Sequence, residues 1–244
     1  MPWFRSGRCP VPETNSPLMF SPYRLLILDA DGTTIDAFSA IERAFTYHGM
    51  DIGDLGRFQR RHNLLKYLGG LKEFPVNLGR QIGRRRRARL LDTLTEVYRE
   101  EARLYPGLSD LIRRLIAHPG LRVGLITRNI THEPKITLGK LFRRHGIKLD
   151  ELHFFVHVPL KQTKLEYFRA IRNSLSINPA KAYACGDEHR DYEVALAAGM
   201  HPFMVAYGFE GYERLRHKFS VPAELISRHP EEFRARVEHA LDLT

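Results

Sequence analysis

The chain holds two cysteines, Cys9 and Cys185, among 244 residues. One lies near the N-terminus and the other in an apolar run, which argues against a disulfide framework and fits a reducing cytoplasm. No apolar run approaches the roughly 18 residues that a membrane span needs. The opening stretch "MPWFRSGRCPVPETNSPLMFSP" has no continuous apolar segment of the secretory kind, so residues 1–21 read as a flexible leader. The twelve histidines show no metal-binding spacing. Internal repeats are absent, and the only low-complexity stretch is "GRRRRARL" at 83–90.

What is present is an ordinary globular composition, 43% hydrophobic and 27% charged. The formal net charge of +10 could mark a nucleic-acid, membrane-surface or anionic-substrate partner. Because the basic residues are spread along the chain, an arginine-rich surface is the simpler reading. Arg84–Arg87 cannot share one helical face, since neighbours on a helix point about 100° apart, and they read as solvated.

Residues 23–28, "YRLLIL", form a short apolar run that stops at "DADGTT". That pattern predicts a buried strand followed by a turn. Similar runs follow at 122–127, 151–156 and 182–187, with a shorter one at 203–206. Helical periodicity fills the gaps at 108–118, 136–146, 164–175 and 191–199. Alternation of this kind predicts an α/β fold with a doubly wound parallel sheet of about five strands. Right-handed crossovers then bring the strand C-termini to one edge. From Phe38 to about Tyr105 the periodicity is helical only, and "YPG" at 105–107 ends it. The expected organisation is a core of 22–36 and 107–244 carrying an all-helical insert at 37–106.

Ligands in such a sheet bind at the strand C-termini. The first strand delivers Asp29 and Asp31 there, followed by Gly32 and Thr33, and the second Thr127, Arg128 and Asn129. Lys161 and Lys164 follow the third; Asp187, Glu188 and Asp191 follow the fourth. This inventory suits phosphoryl transfer. A carboxylate can attack phosphorus once its repulsion from the phosphate is cancelled, by a lysine and by a hard divalent cation such as magnesium held on oxygen ligands. Asp29 and Asp187 could supply metal carboxylates, and the Asp31 turn a further oxygen. Asp31 can protonate a leaving alcohol and then activate water. Thr127, Arg128, Asn129 and Lys164 could hold phosphate oxygens. Glu188 reads as solvent-facing, and Cys185 as a small buried apolar residue.

These residues also carry a resemblance. "LLILDADGTTID" resembles the DxDGT motif of the haloacid dehalogenase-like hydrolases, and "VGLITRN" resembles their second-motif threonine. "KQTKLEYF" is similar to their lysine motif, and "CGDEHRDYEVALAAG" to their acidic motif. The four occur in family order, and the likeness covers about residues 22–240.

The resemblance implies a Rossmann-like core, magnesium dependence, Asp29 as nucleophile and Asp31 as general acid/base. Thr127 would be the phosphate-binding hydroxyl, Asp187 a metal ligand alongside Asp29 and Asp31, and Asp191 a supporting acid. Lys164 best matches the family lysine, with Lys161 as the alternative; neither is followed by the family's usual proline. Thr34 stands where the family most often has leucine. The presence of Asp31 favours phosphoesters over haloacids, and the insert resembles the helical cap of the phosphoglycolate phosphatase-like branch.

The expected activity is hydrolysis of a small phosphorylated metabolite through an aspartyl-phosphate. Arg60, Arg61, Asn63 and Lys66, beside "LGG" at 68–70, are candidate cap contacts. One rival is a phosphomutase of the same superfamily. The other is a basic nucleic-acid-binding module with an unused core.

Overall fold

The computed structural model of the chain describes residues 20–60 and 84–243. Six parallel strands form one sheet in the order β3-β2-β1-β4-β5-β6. They are β1 (Arg24–Leu28), β2 (Leu121–Thr127), β3 (Phe154–His157), β4 (Ala182–Gly186), β5 (His201–Val205) and β6 (Ile226–Ser227). Five match the sequence expectation. The sixth corrects the expected count: two residues are too few to show an apolar period, and β6 exists through its pairing with Met204 and Val205.

β1 lies at the centre, with Leu26 opposite both Val123 of β2 and Tyr183 of β4. Leu25, Leu26 and Ile27 are fully buried, as expected of a parallel strand covered on both faces. The chain builds β2 and β3 on one side of β1, then returns to build β4, β5 and β6 on the other. The switch point falls between β1 and β4, where open α/β sheets place their ligands.

The helices are α1 (Ala37–Thr46), α2 (Leu55–Arg60), α3 (Arg84–Glu100), α4 (Leu108–Ala117), α5 (Pro134–Arg144), α6 (Lys164–Ser174), α7 (His189–Ala197) and α8 (Pro230–Ala240). The regular elements among the described residues of 37–106 are the helices α1, α2 and α3. An antiparallel bridge between Ile35 and Leu104 closes the base of this insert, reinforced by Asp36 N–H on Arg103 O at 2.9 Å. Phe38, Ile41 and Phe45 of α1 and Leu90, Leu94 and Val97 of α3 join one apolar cluster with Leu26, Leu28, Val123 and Leu125 of the sheet. The described part of the insert therefore shares the apolar core of the sheet.

Arg84–Arg87 open α3. Cations are disfavoured at that end of a helix by its dipole, so the helix forms through burial of Leu90, Leu94, Val97 and Tyr98. Arg61, Asn63, Lys66 and 68–70 lie outside the described residues, as do the side chain of Arg60 and nearly all of the leader. No helix among the described residues is long and apolar enough to cross a membrane.

Gly124 of β2 makes room for the Phe154 ring: a Cβ there would come within 2.3 Å of it. We predict that Gly124→Ala lowers unfolding stability by about 1–3 kcal/mol through overpacking, measured by denaturant titration. An unchanged midpoint would show that β3 yields freely.

Candidate active site

Asp29 follows the last residue of β1 and is 8% exposed. The turn that carries it is held by its own backbone. Thr34 and Ile35 N–H both reach Ala30 O, and Gly32 N–H reaches Ile35 O. Thr34 Oγ1 donates to Asp29 O at 3.0 Å and to Ala30 O at 3.1 Å. That accounts for a threonine where the family usually has leucine: the hydroxyl ties the turn back on itself.

Lys164, first residue of α6, is buried, with Nζ 2.9 Å from Asp29 Oδ2 and 2.8 Å from Asp191 Oδ1. Lys161 is exposed, and of the two lysines Lys164 is the one that reaches the acidic cluster. Asp187 follows β4 and is 1% exposed. Asp29, Asp187 and Asp191 each present a carboxylate oxygen within 4.8 Å of the others. Two glycines allow this crowding. A Cβ on Gly32, whose φ is +78°, would lie 2.1 Å from Asp187 Oδ2, and one on Gly208 would lie 2.3 Å from it.

Asp31 sits apart from that trio. Its Oδ1 accepts from Tyr98 Oη at 2.8 Å and Asn129 Nδ2 at 3.1 Å, and its Oδ2 from the same amide at 3.0 Å. The sequence expectation gave the metal a backbone oxygen from the Asp31 turn, which the side-chain cluster does not test. The side-chain cluster contains Asp191, expected as a supporting acid, and the Asp31 carboxylate is turned toward α3. Asn129, expected to bind phosphate, has its side chain committed to Asp31 and Thr131, and it does not line the pocket. It is 2% exposed and holds the acid in place.

The concavity at this edge has an empty volume of about 340 Å³, its open mouth included. Its lining is Asp29, Asp31, Thr127, Arg128, Lys164, Asp187 and Glu188. Thr127 ends β2, and its Oγ1 accepts Asn129 N–H at 3.1 Å. Arg128 donates to Gln162 O at 3.2 Å. Glu188, read from sequence as solvent-facing, is a correction: it is half-buried and forms part of the wall. Tyr98 and the loop that follows β5 were not singled out from sequence; no local pattern marks a tyrosine 67 residues from its partner.

Burial governs the electrostatics. It pushes Asp29 up to about 7 against the pull of Lys164, with Asp191 adding to the rise. It pushes Glu188 up to about 7 as well, helped by Asp191 and Glu210. Asp187 is raised well above the usual carboxylate range too, through burial and then the charge of Glu188. Asp31 is raised by burial although Tyr98 and Asn129 favour its ionised form. Burial opposes the charge of Lys164, but Asp191 and Asp29 outweigh it and drive its pKa up.

The site therefore holds more negative charge than Lys164 can balance. Asp187 Oδ2 accepts Phe209 N–H at 2.6 Å, while Oδ1 has no hydrogen-bond partner among the described residues. A buried carboxylate oxygen without a partner, beside two further carboxylates, fits a hard divalent cation.

No curated protein sequence matches the chain significantly. Among solved structures, a predicted phosphatase from Clostridium acetobutylicum is 18% identical with a TM-score of 0.55, covering 90% of this chain and 100% of that one. A hydrolase from Deinococcus radiodurans R1, solved with bound phosphate and sodium, is 18% identical with a TM-score of 0.59, covering 91% and 97%. A protein provisionally assigned as a beta-phosphoglucomutase, from Thermotoga maritima, is 16% identical with a TM-score of 0.62, covering 88% and 99%. At these identities the likeness is one of fold.

Asp29 and Glu188, both pushed up to about 7, hold their protons more tightly folded than unfolded. Their contribution to stability is complete below about pH 4 and is lost as pH rises through about 7. We predict that thermal unfolding in chelator falls over this range, and that magnesium raises the midpoint more at pH 8 than at pH 5.5. An equal magnesium effect at both would contradict the assignment.

The model of the haloacid dehalogenase-like hydrolases matches residues 23–199, and with the four motifs converging on one sheet edge this chain belongs to that family.

Proposed function

We propose that the chain is a magnesium-dependent phosphatase that hydrolyses a small phosphorylated metabolite through a phosphoryl group carried on Asp29. The observation that carries this reading is the pairing of two carboxyls in opposed settings. Asp29 is bonded to Lys164 among the acidic trio, and Asp31, two residues on, is bonded to Tyr98 and Asn129. Two acids with separated environments suit a nucleophile and an acid/base.

In the first step the Asp29 carboxylate forms a bond to phosphorus as the ester P–O bond breaks, and Asp31 gives its proton to the departing oxygen. In the second, Asp31 takes a proton from water, whose oxygen attacks phosphorus. Phosphate leaves and the Asp29 carboxylate is restored. Burial shifts Asp31 toward its protonated form. Lys164 orients Asp29 and offsets its charge, while Thr127 Oγ1 and the Arg128 guanidinium suit the transferring oxygens. Asp29, Asp187 and Asp191 would hold a divalent cation, which when bound lowers the repulsion between carboxylate and phosphate. We assign residues 37–106 as the cap of this enzyme, with α3 already reaching the acid through Tyr98.

Asp29→Asn is expected to abolish magnesium-dependent phosphate release from a generic aryl phosphate, and turnover that survives would sink the mechanism. Removing the acid should matter most where the leaving group is poor. We predict that Asp31→Asn slows alkyl phosphates by about 100-fold or more and an aryl phosphate less; equal losses would contradict acid catalysis by Asp31. Tyr98→Phe should lower kcat several-fold with little change in KM, since the lost bond orients the acid. A change confined to KM would place Tyr98 in substrate binding instead.

A further inference from the structure

The loop after β5 grips the acidic pocket at several points. Phe209 N–H donates to Asp187 Oδ2 at 2.6 Å, and Tyr207 Oη donates to Thr33 O at 3.1 Å. A Cβ on Gly208 would collide with both Asp187 Oδ2 and Gly32 O, so the loop lies on these groups without slack. The Glu210 carboxylate accepts His189 N–H at 2.6 Å, fixing the same loop to the start of α7.

One side chain of the insert holds this loop. Gln59, on α2, donates from Nε2 to Gly208 O at 2.6 Å and to Ala206 O at 3.3 Å. The bare surface of Gly211 accommodates it, since a Cβ there would lie 2.8 Å from Gln59 Oε1. A single amide therefore bridges α2 to the two carbonyls that flank Tyr207, one and three residues before the Phe209 N–H that fixes Asp187.

We propose that Gln59 is a positioning residue that couples the seating of α2 to the placement of Asp187, so that insert docking and cation binding strengthen each other. The inference rests on the reading of Asp29, Asp187 and Asp191 as cation ligands. Asp187 has one oxygen fixed by Phe209 N–H and the other open. A loop that drifts moves the fixed oxygen and turns the open one. Groups that orient a metal ligand commonly change affinity about tenfold or more when removed. The coupling is reciprocal by linkage: whatever Gln59 adds to cation affinity, the cation adds to α2 docking.

The test is calorimetric titration of magnesium into the full chain, with hydrogen exchange read over 55–60. Gln59→Ala should weaken magnesium binding about fivefold. Gln59→Glu keeps the size but faces two carbonyls with an acceptor, and should weaken binding at least as much. Gly211→Ala, which must push the amide aside, should act in the same direction and not add to Gln59→Ala. Arg99→Ala removes a different insert-to-core link, to Thr137 and Glu133, and should leave magnesium affinity unchanged. Magnesium should slow exchange over 55–60 in the native chain and not in Gln59→Ala.

Native-like magnesium affinity in Gln59→Ala or Gln59→Glu overturns the proposal, as does an equal loss in Arg99→Ala. A native chain that takes up no magnesium overturns the proposal together with the cation reading beneath it. Native uptake with an unaffected Gln59→Ala removes the role of Gln59 alone.

Discussion

Lys164 Nζ stands 2.9 Å from Asp29 and 2.8 Å from Asp191, buried with both of them. Everything else at this sheet edge is arranged around that contact. Buried ion pairs contribute little net stability, because desolvation offsets most of the attraction; removing one partner still costs about 3–5 kcal/mol by stranding the other charge. One ammonium serving two carboxylates, with Asp187 and Glu188 close behind, is poor design for stability alone. Under the function proposed above, the excess charge is what a divalent cation would offset.

The position of the two motif aspartates follows from the same constraint. Asp29 is held by Lys164 of α6, whereas Asp31 is held by Asn129 and by Tyr98 of α3. Only Ala30 separates them, and the turn that carries both is locked by Thr34 and the positive φ of Gly32. The sheet contributes direction through the switch point beside β1. The helical insert contributes a hydroxyl to the acid and an amide to the loop that fixes Asp187. Insert and core thus meet at the chemistry itself, as well as through the apolar cluster they share.

Much of this could be read from the sequence, for a definite reason. Each buried strand ends where its apolar run ends, so the first polar residues after it must face the ligand edge; Asp29, Thr127 and Asp187 are all found that way. What could not be read depends on tertiary docking. Asn129 looks like a phosphate ligand by position, yet its burial commits its amide to Asp31. Glu188 follows a strand and caps a helix, which normally means solvent, but the wall of the pocket closes over it. Tyr98 and Gln59 belong to helical patterns that announce a buried face without naming the atom at its far end. β6 is two residues long, and its partners alone define it.

The proposed chemistry places the phosphoryl group on Asp29, and the most direct measurement is its capture during turnover. Acid quenching in the steady state with magnesium and an aryl phosphate, followed by peptide mass spectrometry, should find a phosphoryl increment on Asp29 that hydroxylamine removes. Rapid turnover with the Asp29 peptide unmodified, or the increment on another side chain, would contradict it.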